Sequence, residues 1–185
     1  MITGTLIAWF CFSICSAPPP SMVQQKENIE WVKTEIKRIE HEQQFALFVA
    51  HLGHRESNND WQIINQINCM GKWQIAPSTL RHFGYDSITP QRFRKDPQIF
   101  PEAVQYQILC ALFKSNETVL KDYMYYCGQE MAGVMITKSG LLAAAHLGGA
   151  GGVKLFLLSN GQVNKKDLNQ TSIKNYLSEF AGYNI

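Results

Sequence analysis

Charge is missing from the first 25 residues of this 185-residue chain. Within that stretch Leu6 to Cys15 is apolar except for Ser13, and the small pair Ser16-Ala17 precedes Pro18-Pro19-Pro20. A run of about ten residues spans roughly 15 Å as a helix, too short for a hydrocarbon core of about 30 Å. Residues 1–17 therefore read as a secretory signal. An uncleaved anchor is the alternative, and it is the one route to a membrane that the chain offers. Also missing is any run of five or more like charges, and the net charge is only +2, so nothing argues for a nucleic-acid partner. Cysteine is sparse. Cys11 and Cys15 would leave with the signal, and Cys69, Cys110 and Cys127 allow one bridge at most, which is no disulfide framework. The absence of Cys-x-x-Cys removes a structural zinc site. No internal repeat or low-complexity tract is present.

What remains is an ordinary globular composition, 45% hydrophobic and 17% charged, long enough to bury a core without staples. Residues 18–42 form a linker and an amphipathic helix, with Ile29, Val32, Ile36 and Ile39 on one side and mixed charges on the other. A second helical run follows from Gln43 to Arg55. Phe45, Phe48, Val49 and Leu52 hold helical spacing, and Glu56, four residues on, continues the same stripe. A carboxyl group turned toward apolar surroundings is harder to ionise, and one that keeps its proton near neutral pH can act as a general acid.

Ser57-Asn58-Asn59-Asp60 ends that helix. The β-branched and aromatic stretch from Trp61 to Ile75, turned at Gly71, predicts a short irregular β-hairpin. Helices are expected from Pro77 to Phe83 and from Pro101 onward, the latter continuing past Asn116 as a second or bent helix. Leu141 to Leu147 is a small-residue helix, Gly148 to Gly152 a glycine-rich turn, and Val153 to Leu158 another short helix. Ile173, Tyr176, Leu177 and Phe180 mark a last amphipathic one. The expected fold is mainly α, a helical domain over residues 43–185 with one small hairpin after the Glu56 helix.

Three elements resemble the lysozyme-like lytic transglycosylases. Glu56-Ser57 at a helix end resembles their Glu-Ser motif, and Gly71-Lys72-Trp73-Gln74-Ile75-Ala76-Pro77-Ser78-Thr79 their Gly-Leu-Met-Gln-Ile-x-Pro-x-Thr element. Ala144-Ala145-His146-Leu147-Gly148-Gly149-Ala150-Gly151 stands in the place of Ala-Tyr-Asn-Ala-Gly-x-Gly. The order along the chain agrees, and Tyr183 falls where the family often has an aromatic residue. Two departures stand out: His146 replaces asparagine, and Trp73 replaces the apolar residue before glutamine.

The resemblance implies a lysozyme-like α+β fold and cleavage of the peptidoglycan glycan strand without a cofactor. Glu56 would protonate the glycosidic oxygen beside N-acetylmuramic acid. It would then take the proton from that sugar's own 6-hydroxyl as a 1,6-anhydro ring closes. Ser57 would orient Glu56 or touch substrate, and Gly71, Gln74 and Ile75 would bind N-acetyl groups. Trp73 would stack on a sugar or lie buried. His146 would contact sugar or be a satisfied core histidine, and Tyr183 would hydrogen-bond near Glu56. The chain is expected to be periplasmic or extracellular and to act as a monomer.

Other readings of the same residues are a hydrolytic muramidase and a module that binds peptidoglycan without cutting it. Glycosidases usually need two carboxylates, and the sequence places no convincing partner near Glu56. Asp60 sits in a turn cluster, and only Asp86, Asp96, Glu102 or Glu130 could approach through space. His51, His54 and Glu56 as a metal site lack His-Glu-x-x-His spacing, and Glu56 falls about 200° from His54 on the helical wheel. Cys110, in an apolar helical run, reads as core rather than nucleophile.

Overall fold

The computed structural model describes residues 21–167 and 169–185. The expected signal, residues 1–17, lies outside the described residues. The chain divides into two compact units, Met1–Arg38 and Ile39–Ile185, and the division falls within the first helix, α1 (Met22–Ser57). In the first unit the described residues are helical from Met22, and Ile29, Val32 and Ile36 are about half exposed. Nothing in the sequence breaks helix between the two amphipathic runs, so the two expected helices are parts of α1.

The second unit is mainly helical. Proline at the first turn starts α2 (Pro77–His82) and α3 (Pro90–Lys95), and the Thr89 hydroxyl caps α3 by accepting from the Arg92 amide. Gly84, at φ +80°, follows α2 in the left-handed conformation that a glycine reaches without strain. A 3₁₀ turn (Pro97–Ile99) leads to α4 (Glu102–Leu120), which runs through Asn116 unbroken and gives way to a second 3₁₀ segment (Lys121–Tyr126).

The one sheet among the described residues is the antiparallel pair β1 (Glu130–Met131) and β2 (Val134–Met135), with Glu130 opposite Met135 and Met131 opposite Val134. Ala132 and Gly133 turn it with φ of +51° and +76°, the primed-turn geometry that suits the twist of a tight hairpin. The hairpin therefore follows α4, and the expected one over residues 61–75 is not a sheet. That segment has only isolated bridges, Ile64 to Met70 and Met70 to Ile75. Left-handed residues at Asn68, Gly71 and Gln74 interrupt any ladder there.

Helix α5 (Lys138–Leu158) begins at Thr137, whose hydroxyl accepts from the Gly140 amide. By length and composition α5 is apolar enough to cross a bilayer, but Leu141 to Ala145 are buried within this domain. Its expected glycine turn reduces to a kink at Gly149, φ +72°. Helix α6 (Ile173–Glu179) opens with a reciprocal cap between Ser172 and Asn175 and packs on α5. The two backbones meet closely at Gly140, where a Cβ would lie 2.8 Å from the Leu177 carbonyl oxygen. Phe48 of α1 is fully buried and joins three further parts of the domain: its ring centroid lies 5.3 Å from Phe113, 5.8 Å from Phe180 and 5.6 Å from Tyr183. Such a side chain contributes about 1.5–3 kcal/mol by leaving water, and it holds the end of α1 against α6.

Candidate active site

Glu56 is the next-to-last residue of α1, one helical turn beyond the fully buried Leu52. The apolar stripe turns it inward, and its side chain keeps 15% of its exposure. Two side chains from different helices meet its Oε1. Tyr176 of α6 donates its hydroxyl hydrogen at 2.6 Å. From α5, His146 brings Nε2 to 3.8 Å, with only 5% of its side chain exposed. Burial pushes the Tyr176 hydroxyl far above the usual tyrosine range, and the neighbouring Glu56 charge and the hydrogen bond to it push the same way. Tyr176 thus remains a donor to Glu56 over the whole working range of pH.

Polar ties fix α6 against α1. Arg55 Nε donates to Glu179 Oε2 at 3.2 Å, and the His51 ring nitrogen Nε2 lies 3.3 Å from Glu179 Oε1. The Arg55 guanidinium also reaches Thr171 Oγ1 at 3.3 Å and sits 5.6 Å above the centre of the Tyr176 ring.

Glu56 opens into a cleft of about 340 Å³. Beside it stand Arg55 and Tyr176, one wall is Ile64, Asn65, Gln66, Ile67 and Gln74, and Asp167 and Asn169 complete the lining. The 61–75 wall is held by Gln105 of α4, which is fully buried. Its Oε1 accepts from the Lys72 amide at 2.7 Å, and its Nε2 donates to the carbonyls of Trp61 and Phe100, both at 2.8 Å. Gly71, at φ +78°, is what lets that amide group in, because a Cβ there would fall 2.1 Å from Gln105 Oε1. Ser57 fastens the same wall to α1 by donating its hydroxyl to the Lys72 carbonyl at 2.8 Å. It positions the helix end and has no place in the cleft lining.

Gln74 sits at φ +47°, a conformation costly for a residue with a side chain. Its Nε2 donates to the Gly71 carbonyl at 2.7 Å, while its Oε1 is buried with no hydrogen-bond partner among the described residues.

The structure puts Glu56 and Gln74 on one cleft and His146 Nε2 3.8 Å from Glu56, whereas Trp73, Ile75 and Tyr183 do not line that cleft. Trp73 is 3% exposed, donates its indole N–H to the Val49 carbonyl at 2.9 Å and lines a different groove with Ala46, Ala50 and Tyr106. It is core, not a sugar platform. Ile75 is buried too and pairs with Met70 through backbone hydrogen bonds. Tyr183 does not reach Glu56; its hydroxyl lies 2.8 Å from His51 Nδ1, since the chain after α6 returns over Phe48. His51 is engaged there and with Glu179, and among the described residues no group of three or more His, Cys, Asp or Glu is placed to hold a metal ion. Cys69, Cys110 and Cys127 are free thiols, each pushed up by burial, and at Cys69 the charge of Glu56 adds to that effect.

Tyr176, Gln105 and Asp167 are the residues that sequence reasoning missed. Tyr176 lies on an apolar stripe that marks it as core, which it also is. Gln105 is a lone polar residue on a helix, and nothing local signals its three partners. No protein-family model, no curated protein and no solved structure matches the chain.

Proposed function

We propose that residues 43–185 form a peptidoglycan lytic transglycosylase, cleaving the bond between N-acetylmuramic acid and N-acetylglucosamine with Glu56 as acid and then base. The observation that carries the reading is the setting of Glu56: a mostly sheltered carboxyl at the base of a cleft, held by the Tyr176 hydroxyl at 2.6 Å and with space in front of it. In the first half of the reaction Glu56 gives its proton to the glycosidic oxygen as the bond from C1 breaks. The sugar's own O6 then attacks C1, and the Glu56 carboxylate removes the O6 proton. Protons and bonds balance without added water, and the intramolecular nucleophile supplies proximity that a free water lacks. Gln74, Asn65 and Asn169 line the cleft, and their amides offer donors and acceptors for sugar hydroxyls and N-acetyl groups. A glycan substrate of this kind places the protein outside the cytoplasmic membrane.

One observation favours hydrolysis as a second reading. Asp167 lines the same cleft as Glu56, so a second carboxylate is available to activate water. Its Oδ1 also has a structural duty, accepting from the Thr171 amide at 2.8 Å.

The test uses purified cell walls. Wild-type protein should clear their turbidity, and Glu56→Gln should not, with its helical circular dichroism unchanged. Retained lysis by a folded Glu56→Gln variant would refute the assignment, and binding without lysis by the wild type would leave a recognition module. Anhydro ends on the products indicate transglycosylation, whereas reducing ends carrying oxygen from isotopically heavy water indicate hydrolysis.

A further inference from the structure

We propose that His146 serves Glu56 as an uncharged hydrogen-bond donor, with its single ring proton on Nε2 and directed at Glu56 Oε1. The inference rests on the reading of Glu56 as acid and then base, and it gives a role to a histidine where the resembling family has asparagine.

Two observations favour this tautomer. Nε2 faces the carboxyl oxygen at 3.8 Å, longer than a hydrogen bond but within reach of one after a small rotation of either side chain. Nδ1 is sealed from solvent and has no hydrogen-bond partner among the described residues. A proton on Nδ1 would be a buried donor with nothing to accept it, while a bare Nδ1 only forgoes an acceptor's bond. The ring is therefore better served by one proton, on the side of Glu56.

The chemistry gives the same preference. Glycosidic cleavage builds positive charge on the sugar ring, and the carboxylate left after proton transfer stabilises it. An imidazolium against that carboxylate would cancel part of its field, whereas a neutral N–H lowers its energy and leaves the negative charge in place. The long distance fits such a donor: the contact is to close only as Glu56 gives up its proton. His146 is a positioning residue in this scheme, acting through Glu56 without touching sugar.

Two measurements on the full-length chain test this. Nitrogen chemical shifts of the His146 ring, taken at the pH of the lysis assay, should show a protonated Nε2 and a bare Nδ1; a doubly protonated ring, a proton on Nδ1 or an even mixture overturns the proposal. In wall lysis, His146→Leu should lower kcat about tenfold at unchanged KM, the loss of one useful hydrogen bond. His146→Gln, which carries a donor of similar reach, should stay within about threefold of wild type. A fully active leucine variant, or a folded glutamine variant as poor as leucine, overturns it too. Absence of lysis by the wild type would instead remove the proposed activity, and the ring's tautomer would still be read from its spectrum.

Discussion

Replacing Tyr176 by phenylalanine removes one oxygen atom and, with it, the 2.6 Å hydrogen bond to Glu56. A hydrogen bond to a charged group is worth about 1.5–3 kcal/mol. Tyr176 is 2% exposed and Glu56 retains 15% of its side-chain exposure, so water from the cleft can replace part of what the carboxylate loses. That places the cost in the lower part of the range, about 1.5–2 kcal/mol, or a fall in Tm of about 3–8 °C for a chain of this size. If the bond holds Glu56 in its working position, the same energy lowers the rate of wall lysis by about ten- to thirtyfold.

The pH dependence of stability is a sharper measure. The folded protein holds the Tyr176 proton well above the ordinary tyrosine range, while the unfolded chain releases it near pH 10. Above that pH the unfolded state binds fewer protons than the native one, so stability falls as pH rises. The contribution is fully present below about pH 10 and is lost above it; Tyr176→Phe lacks this loss. Urea unfolding across the alkaline range should show the gap between wild type and variant narrowing. A constant gap, or a variant as stable and active as wild type at neutral pH, would refute the account of how Glu56 is held.

Two other changes probe the cleft wall. Gly71→Ala puts a methyl group 2.1 Å from Gln105 Oε1 at a left-handed backbone position. Displacing Gln105 from its three hydrogen bonds, plus the backbone cost, should destabilise by at least about 3 kcal/mol in urea unfolding. Asp167→Asn keeps an oxygen for the Thr171 amide but removes the charge. Transglycosylation should then continue within about threefold of wild type with anhydro ends unchanged, whereas a hydrolase using Asp167 as base would lose about a hundredfold or more.

Glu56 was legible in the sequence because helical periodicity is local. Phe45, Phe48, Val49 and Leu52 set the direction of the next residue on the stripe, and burial of Phe48, Val49 and Leu52 follows that pattern. Proline at the start of α2, glycine after α2 and the small residues of α5 were readable for the same reason, since each acts within one turn of the backbone. The hairpin was misplaced because β-branched composition over 61–75 says nothing of pairing. Left-handed residues break that stretch, while a weakly marked Ala132-Gly133 turn pairs two dipeptides after α4.

The partners of Glu56 were decided only by tertiary structure. Tyr176 lies 120 residues away and Tyr183 only seven beyond it, and both are aromatic residues close to α6. Which of them reaches Glu56 depends on how α6 docks on α1 and on where the chain turns after Phe180. Trp73 and Gln74 are neighbours in sequence, yet a left-handed step at Gln74 sends one into the core and the other to the cleft. The sequence by itself determined most of α1, α2, α4, α5 and α6 and the side of α1 on which Glu56 lies, because those depend on spacing along one element. The cleft needed the meeting of α1, α4, α5 and α6, where packing between distant segments decides which polar atoms face one another.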